Sequence, residues 1–174
     1  VIGGGLLGLE AANGLATQIA GVNGAAGAPD SLSLAVDVRS DYRGGNCFGE
    51  QASGEAELTT YSLQNGELRC DIVSVTRASG SRVSSARSGG VIAGVIDLQF
   101  RYAEWSGTDL RYVDSPAVWA QVTAVEVCLH LASPVNAEVD ADITDCAGNT
   151  RNLSDRRLHR VYRQVFQLRN IDQR

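Results

Sequence analysis

A chain of 174 residues is long enough for one substantial core and short for two domains. With 44% hydrophobic and 20% charged residues it reads as globular, which excludes disorder throughout. A net charge of −5 argues against a protein that coats nucleic-acid phosphates, because that work needs a basic face.

The first residues, VIGGGLLGLEAANGL, place Gly3, Gly5 and Gly8 in G-x-G-x-x-G register. A dinucleotide site needs a strand before such glycines, a helix after them, and a second strand ending in an acidic residue about 20 residues on. LLGLEAANGLATQIA would supply the helix and Asp37 the acidic residue. The glycine-rich stretch at 20–30 interrupts that plan, and nothing after Arg39 alternates helix with strand. The glycines are therefore read as turns in a lead-in over residues 1–30, with AGVNGAAGAPD as a loop.

From Ser31 onward the pattern is strand after strand. LSLAVDVR places Leu32, Leu34, Val36 and Val38 on one face, as a half-buried strand does. ELTTYSLQNGELRCD carries Asn65-Gly66 between two strand-like runs, a dipeptide that favours a tight hairpin turn. ASGSRVSSARSGG at 78–90 reads as an exposed loop. GVIDLQFRYAEW alternates Ile96, Leu98, Phe100 and Tyr102 against Asp97, Gln99 and Arg101, and SGTDLRYVDSPAV follows as a turn-rich insert. In WAQVTAVEVCLHLAS the face of Val125, Val127, Leu129 and Leu131 is expected inside, with Cys128 and His130 pointing the other way. NAEVDADITDCAGNT is an acidic excursion, and RLHRVYRQVFQLRNI closes the chain, with Leu158, Tyr162, Phe166 and Leu168 sharing a parity with Arg160 and Gln164. Consecutive strands without a persuasive amphipathic helix indicate an antiparallel sheet.

Four cysteines, Cys47, Cys70, Cys128 and Cys146, show no C-x-x-C spacing, and His130 and His159 have no matching ligand nearby, so structural disulfides are expected rather than metal. Three connectivities are open. The sequential one, Cys47–Cys70 and Cys128–Cys146, is preferred because each bond would staple a local excursion between strands. Such bonds imply an exported domain. No apolar run approaches the roughly 20 residues that span a bilayer, the longest being VIAGVI at 91–96, so any membrane anchor is expected in a part not contained in this chain. The absence of Met points the same way, to a piece of a longer product.

Other clusters have ordinary readings. Arg151, Arg156, Arg157, Arg160 and Arg163 offer guanidinium groups for a carboxylate-rich partner or DNA, yet the acidic stretch at Glu138, Asp140, Asp142 and Asp145 is there to pair with them. Asp140, Asp142 and Asp145 lack the glycine and terminal Glu of a calcium loop. No G-x-S-x-G or marked Ser–His–acid set appears, so no catalysis and no cofactor are expected. Trp105 and Trp119 flank the insert and are expected to close the edge of the core, or else to form an aromatic contact surface.

In order, PDSLSLAVDVR, NCFGE with LQNGELRCD, GVIDLQFRYAEW, VTAVEVCLHLAS and RLHRVYRQVFQLRN resemble the PilW family of type IV pilus minor pilins, which is similar to the J-type minor pseudopilins of type II secretion. The resemblance implies an α+β, pilin-like fold. Residues 31–174 would form a predominantly antiparallel β-sheet head, and the N-terminal α-helix would be missing from this chain. It implies a non-catalytic protein that primes pilus assembly at or near the tip. Its partners would be other minor pilins and the major pilin, with a large tip adhesin beyond them. The missing helix would hold it in the inner membrane before assembly and in the filament core afterwards, leaving the head on the cell surface.

Overall fold

The computed structural model describes residues 19–24, 28–37, 45–51, 55–76, 87–137 and 140–168. The first sheet is an antiparallel series in chain order: β1 (Ile19–Val22), β2 (Ser31–Asp37), β3 (Ala56–Gln64), β4 (Glu67–Val75) and β5 (Arg87–Ala93). The second is built from β6 (Val95–Ser106), β7 (Asp109–Val113), β8 (Val122–Asn136) and β11 (Arg157–Gln167), in the order β11-β8-β6-β7. A small hairpin, β9 (Ala141–Thr144) and β10 (Thr150–Leu153), is pulled out between β8 and β11. The fold is thus mostly antiparallel sheet, and no helix among the described residues is long and apolar enough to cross a membrane.

Local chemistry sets the corners. Asn65 and Gly66 both take positive φ, 52° and 74°, so Gln64 and Glu67 pair directly across a two-residue turn. Gly94 (φ 77°) is where the chain leaves the first sheet for the second, and a Cβ there would stand 2.7 Å from the Ala132 carbonyl oxygen. VIAGVI is therefore two strand ends and a corner. A bulge between Val95 and Asp97 then buries Val95 and turns Ile96 out to solvent. The expected inward position of Ile96 is corrected accordingly, while Leu98, Phe100 and Tyr102 do point inward.

The core lies between the two sheets, from Ile19, Leu32 and Leu68 on one side to Val95, Leu98, Phe100, Tyr102, Val122 and Val125 on the other. Asp30 fastens the sheets together. It is buried, its N–H donates to the Leu98 carbonyl (2.9 Å), and its carboxylate accepts from the N–H groups of Gly24 (2.8 Å) and Phe100 (2.7 Å). Burial pushes the Asp30 carboxyl up, against the pull of those two donors. Tyr102 packs edge-on against Trp119, and its buried hydroxyl has no hydrogen-bond partner among the described residues. Tyr102→Phe keeps the ring and removes that unpaired oxygen, so it is expected to stabilise the fold by about 1 kcal/mol in urea denaturation. Equal or lower stability would show that the hydroxyl finds a partner.

Three segments differ from the sequence reading. Residues 20–30 were expected as loop, yet Ile19–Val22 is a strand whose Ile19 and Ala20 are buried. Its small side chains carry too little contrast to show alternation, and pairing with β2 places Ile19 opposite Leu34. Residues 87–90 of the expected 78–90 loop begin β5, an exposed edge strand that gains its order from β4 and has no buried face to pattern it. The turn-rich insert contains β7, which returns along β6 and seats Arg111 on the buried Glu104 carboxylate (2.7 and 3.1 Å).

Candidate functional site

Cys47 is bonded to Cys70, and Cys128 to Cys146. The first bond ties a small loop to β4. Asn46 shapes that loop by accepting from the N–H groups of Phe48 (3.0 Å) and Glu50 (3.1 Å). Arg87 on β5 then stacks over the Phe48 ring, 4.5 Å from its centre, and pairs with Glu50. The second bond draws the β9–β10 hairpin onto the outer face of the second sheet. Cys128 and His130, expected on the outward face of β8, are buried there, as is Ala132. Val127, Leu129 and Leu131, expected inside, are only half-buried, the cover over this face being incomplete.

That shortfall leaves an apolar cleft of about 400 Å³ between the sheets. Leu34 and Tyr61 form one wall, Val127 and Leu129 the floor, and Tyr162 and Phe166 of β11 the outer lip. Tyr162 and Phe166 are 51% and 55% exposed, and Leu158 at 60% lies on the same face of β11. Exposed apolar side chains beside an apolar cleft, here interleaved with Arg160 and Gln164, offer a surface for contact. The shared parity of these residues was visible in the sequence, but not that they would border an open cleft.

The five arginines are not gathered into one patch. Arg151 binds Asp145 (2.8 Å) on the hairpin, and its hydrogen bond holds the Asp145 carboxyl below the usual carboxylate range. Arg163 donates to the carbonyls of Asp145 (2.7 Å) and Cys146 (3.1 Å) and lies 3.6 Å from Glu126. Arg157 donates to the Ser133 carbonyl (2.6 Å). Arg156 and Arg160 are exposed, and strand alternation puts Arg160 on the opposite face from Arg157 and Arg163. Asp142 is held by Asn152 (2.7 Å), and among the described residues no three His, Cys, Asp or Glu side chains converge on a metal-sized site. Glu138 lies outside the described residues. Trp119 closes the core against Tyr102, while Trp105 is half exposed beside Leu110. Gly3, Gly5 and Gly8 fall outside the described residues; Asp37 ends a strand paired antiparallel to β3, not one of the parallel strands a dinucleotide unit uses.

One cluster escaped sequence reasoning. His130 on β8 and His159 on β11 meet with Nε2 and Nδ1 3.0 Å apart, and His159 Nε2 lies 2.8 Å from Asp155 Oδ1. The two histidines are 29 residues apart in sequence, and only the pairing of β8 with β11 brings them together.

No family model and no curated protein matches the chain. Solved structures do. A type IV-like pilin from Thermus thermophilus superposes with a TM-score of 0.55 at 17% identity, over 86% of this chain and 82% of that one. The GspK-GspI-GspJ complex of the type 2 secretion system from enterotoxigenic Escherichia coli gives a TM-score of 0.44 at 17% identity, over 83% and 74% of the two chains. The chain therefore has a pilin-like fold.

Proposed function

We propose that the chain is the β-rich head of a minor pilin, PilW-like in kind, acting in type IV pilus assembly through protein contacts and without catalysis. The observation that carries this reading is the fold shared with a type IV-like pilin, in a head closed by two disulfides. The apolar cleft supports it. Its lining runs from Leu34 and Tyr61 of the first sheet to Tyr162 and Phe166 of β11, an apolar seat for a partner's apolar segment. In this proposal an N-terminal helix not contained in this chain anchors the protein in the inner membrane before assembly. The partners are other minor pilins and the major pilin, with priming at the tip and an adhesin beyond it. DNA has little to hold: Arg157 and Arg163 are engaged within the domain, and Arg156 and Arg160 lie apart from them, in a chain of net charge −5.

The test is deletion of the gene in its native host, followed by complementation with the wild-type gene or with Tyr162→Lys/Phe166→Lys. Deletion is expected to remove surface filaments. The double variant is expected to keep the melting temperature of the isolated head within a few degrees, since surface changes cost little stability, and to fail to restore filaments. Normal filaments after deletion, combined with lost surface attachment, would replace this reading with a free-standing adhesin.

A further inference from the structure

The histidine pair sits where one end of β11 is fastened to β8. His130 pairs across the ladder with Val161, and His159 with Ala132, so the rings are diagonal neighbours on the outer face of the second sheet, with centroids 5.2 Å apart. Both are buried: His130 is 6% exposed and the His159 side chain 2%. The proton positions follow from the end of the chain. An ionised Asp155 only accepts, and it also takes the Arg157 N–H (3.1 Å). His159 therefore carries its proton on Nε2, which leaves Nδ1 to accept from His130 Nε2–H.

One added proton can be absorbed. With hydrogen on both ring nitrogens, His159 donates to Asp155 from Nε2 and to His130 from Nδ1, and His130 answers by carrying its own proton on Nδ1. A second proton has no such place. It would set N–H against N–H at a 3.0 Å separation and two positive rings in a buried seam.

We propose that His130 and His159 form an acid-sensitive latch, which holds the start of β11 against β8 while the pair carries at most one extra proton and releases it when both rings are charged. The released stretch is bounded. On one side, Leu158 N–H bonds the Ser133 hydroxyl (3.1 Å) and Arg157 the Ser133 carbonyl, both exposed or partly exposed contacts that water can replace. On the other, Arg163 is tied to Asp145 and Cys146, and Cys146 is covalently joined to Cys128, the ladder partner of Arg163. The opening is therefore local, over Leu158–Val161.

The groups around His130 set the direction. Burial, then the neighbouring His159, hold its protonation below the ordinary histidine range; Asp97 on β6, Asp145 beyond β9 and Asp155 ahead of β11 pull the other way without winning. A group depressed in the closed state takes up a proton on opening. The latch is therefore at full strength above the ordinary histidine value of about 6.5 and weakens as pH falls from there toward the depressed value of His130. Asp155 does not confound this range, since its bond to His159 keeps its carboxyl ionised below the usual value.

The test is amide hydrogen exchange with imidazole ¹⁵N titration on the oxidised protein, from about pH 7 to about pH 4.5. Protection at Leu158–Val161, corrected for intrinsic exchange, is expected to fall by up to about tenfold per pH unit, the slope for one proton taken up on opening. Protection at Arg163–Gln167 should hold. His130→Gln, which can donate to His159 but never charges, is expected to remove the pH dependence, and Asp155→Asn to move the release to higher pH. The proposal is overturned if both rings titrate while Leu158–Val161 stays protected, if only one ring titrates over the range, or if His130→Gln opens with the same slope. The ring titration in the unaltered protein decides even where His130→Gln folds poorly.

Discussion

Cys128→Ser together with Cys146→Ser is expected to lower the unfolding free energy by about 3 kcal/mol, the loop-closure value for a bond spanning 18 residues. The structural argument places the loss at the hairpin first. β9 and β10 are four residues each, and a two-stranded hairpin of that size is marginal alone in water. Cys146 and Asp145 are its buried contribution to the body. Without the bond, Arg163 still holds the hairpin through the Asp145 and Cys146 carbonyls. Urea denaturation should show the lower midpoint, and hydrogen exchange should show β9, β10 and the outer face of β8 losing protection ahead of β6. A stability change well under 1 kcal/mol would mean that the hairpin docks through its hydrogen bonds and that the covalent tie adds little.

Much of this arrangement was legible in the sequence, and the reason is contrast. β2, β6 and β8 divide apolar from polar residues along their length because a packed sheet lies on one side of them, and Asn65-Gly66 announces its turn because few dipeptides tolerate two successive positive φ values. β1 and β5 were missed for the same reason in reverse. Ala20 and Gly21 are too small to signal a face, and β5 is exposed along nearly its whole length. At the candidate site, the cysteine positions suggested excursions that could be stapled, because both ends of each lie near strands. The cleft was not legible, since its shape depends on where one sheet ends relative to the other. Nor was the His130–His159 contact, which depends on the register of β8 against β11. The arginines show the limit of reading charge in one dimension: five close in sequence divide between the two faces of a strand, its approach and a separate hairpin.

Asp30→Ala is expected to cost about 3 kcal/mol, because it strips the acceptor from two N–H groups at once, that of Phe100 buried and that of Gly24 partly so. Those of Gly24 and Phe100 belong to different sheets' approaches, so the damage falls on the joint between the layers rather than on either ladder. Asp30→Asn separates the part played by the oxygens from that of the charge. The amide keeps one oxygen for one donor and turns an NH₂ toward the other, which places donor against donor in a buried position. Since burial already pushes the Asp30 carboxyl up, the charge itself is poorly solvated, and losing it alone should cost little. The asparagine variant is therefore expected to fall between wild type and alanine, at about 1.5 kcal/mol, the usual worth of one charge-assisted bond. Urea denaturation of the three proteins under oxidising conditions measures this directly. If asparagine equals wild type, one of the two N–H groups has another acceptor. If asparagine is as damaging as alanine, both bonds need the full carboxylate, and the joint between the sheets is held by charge as well as by geometry.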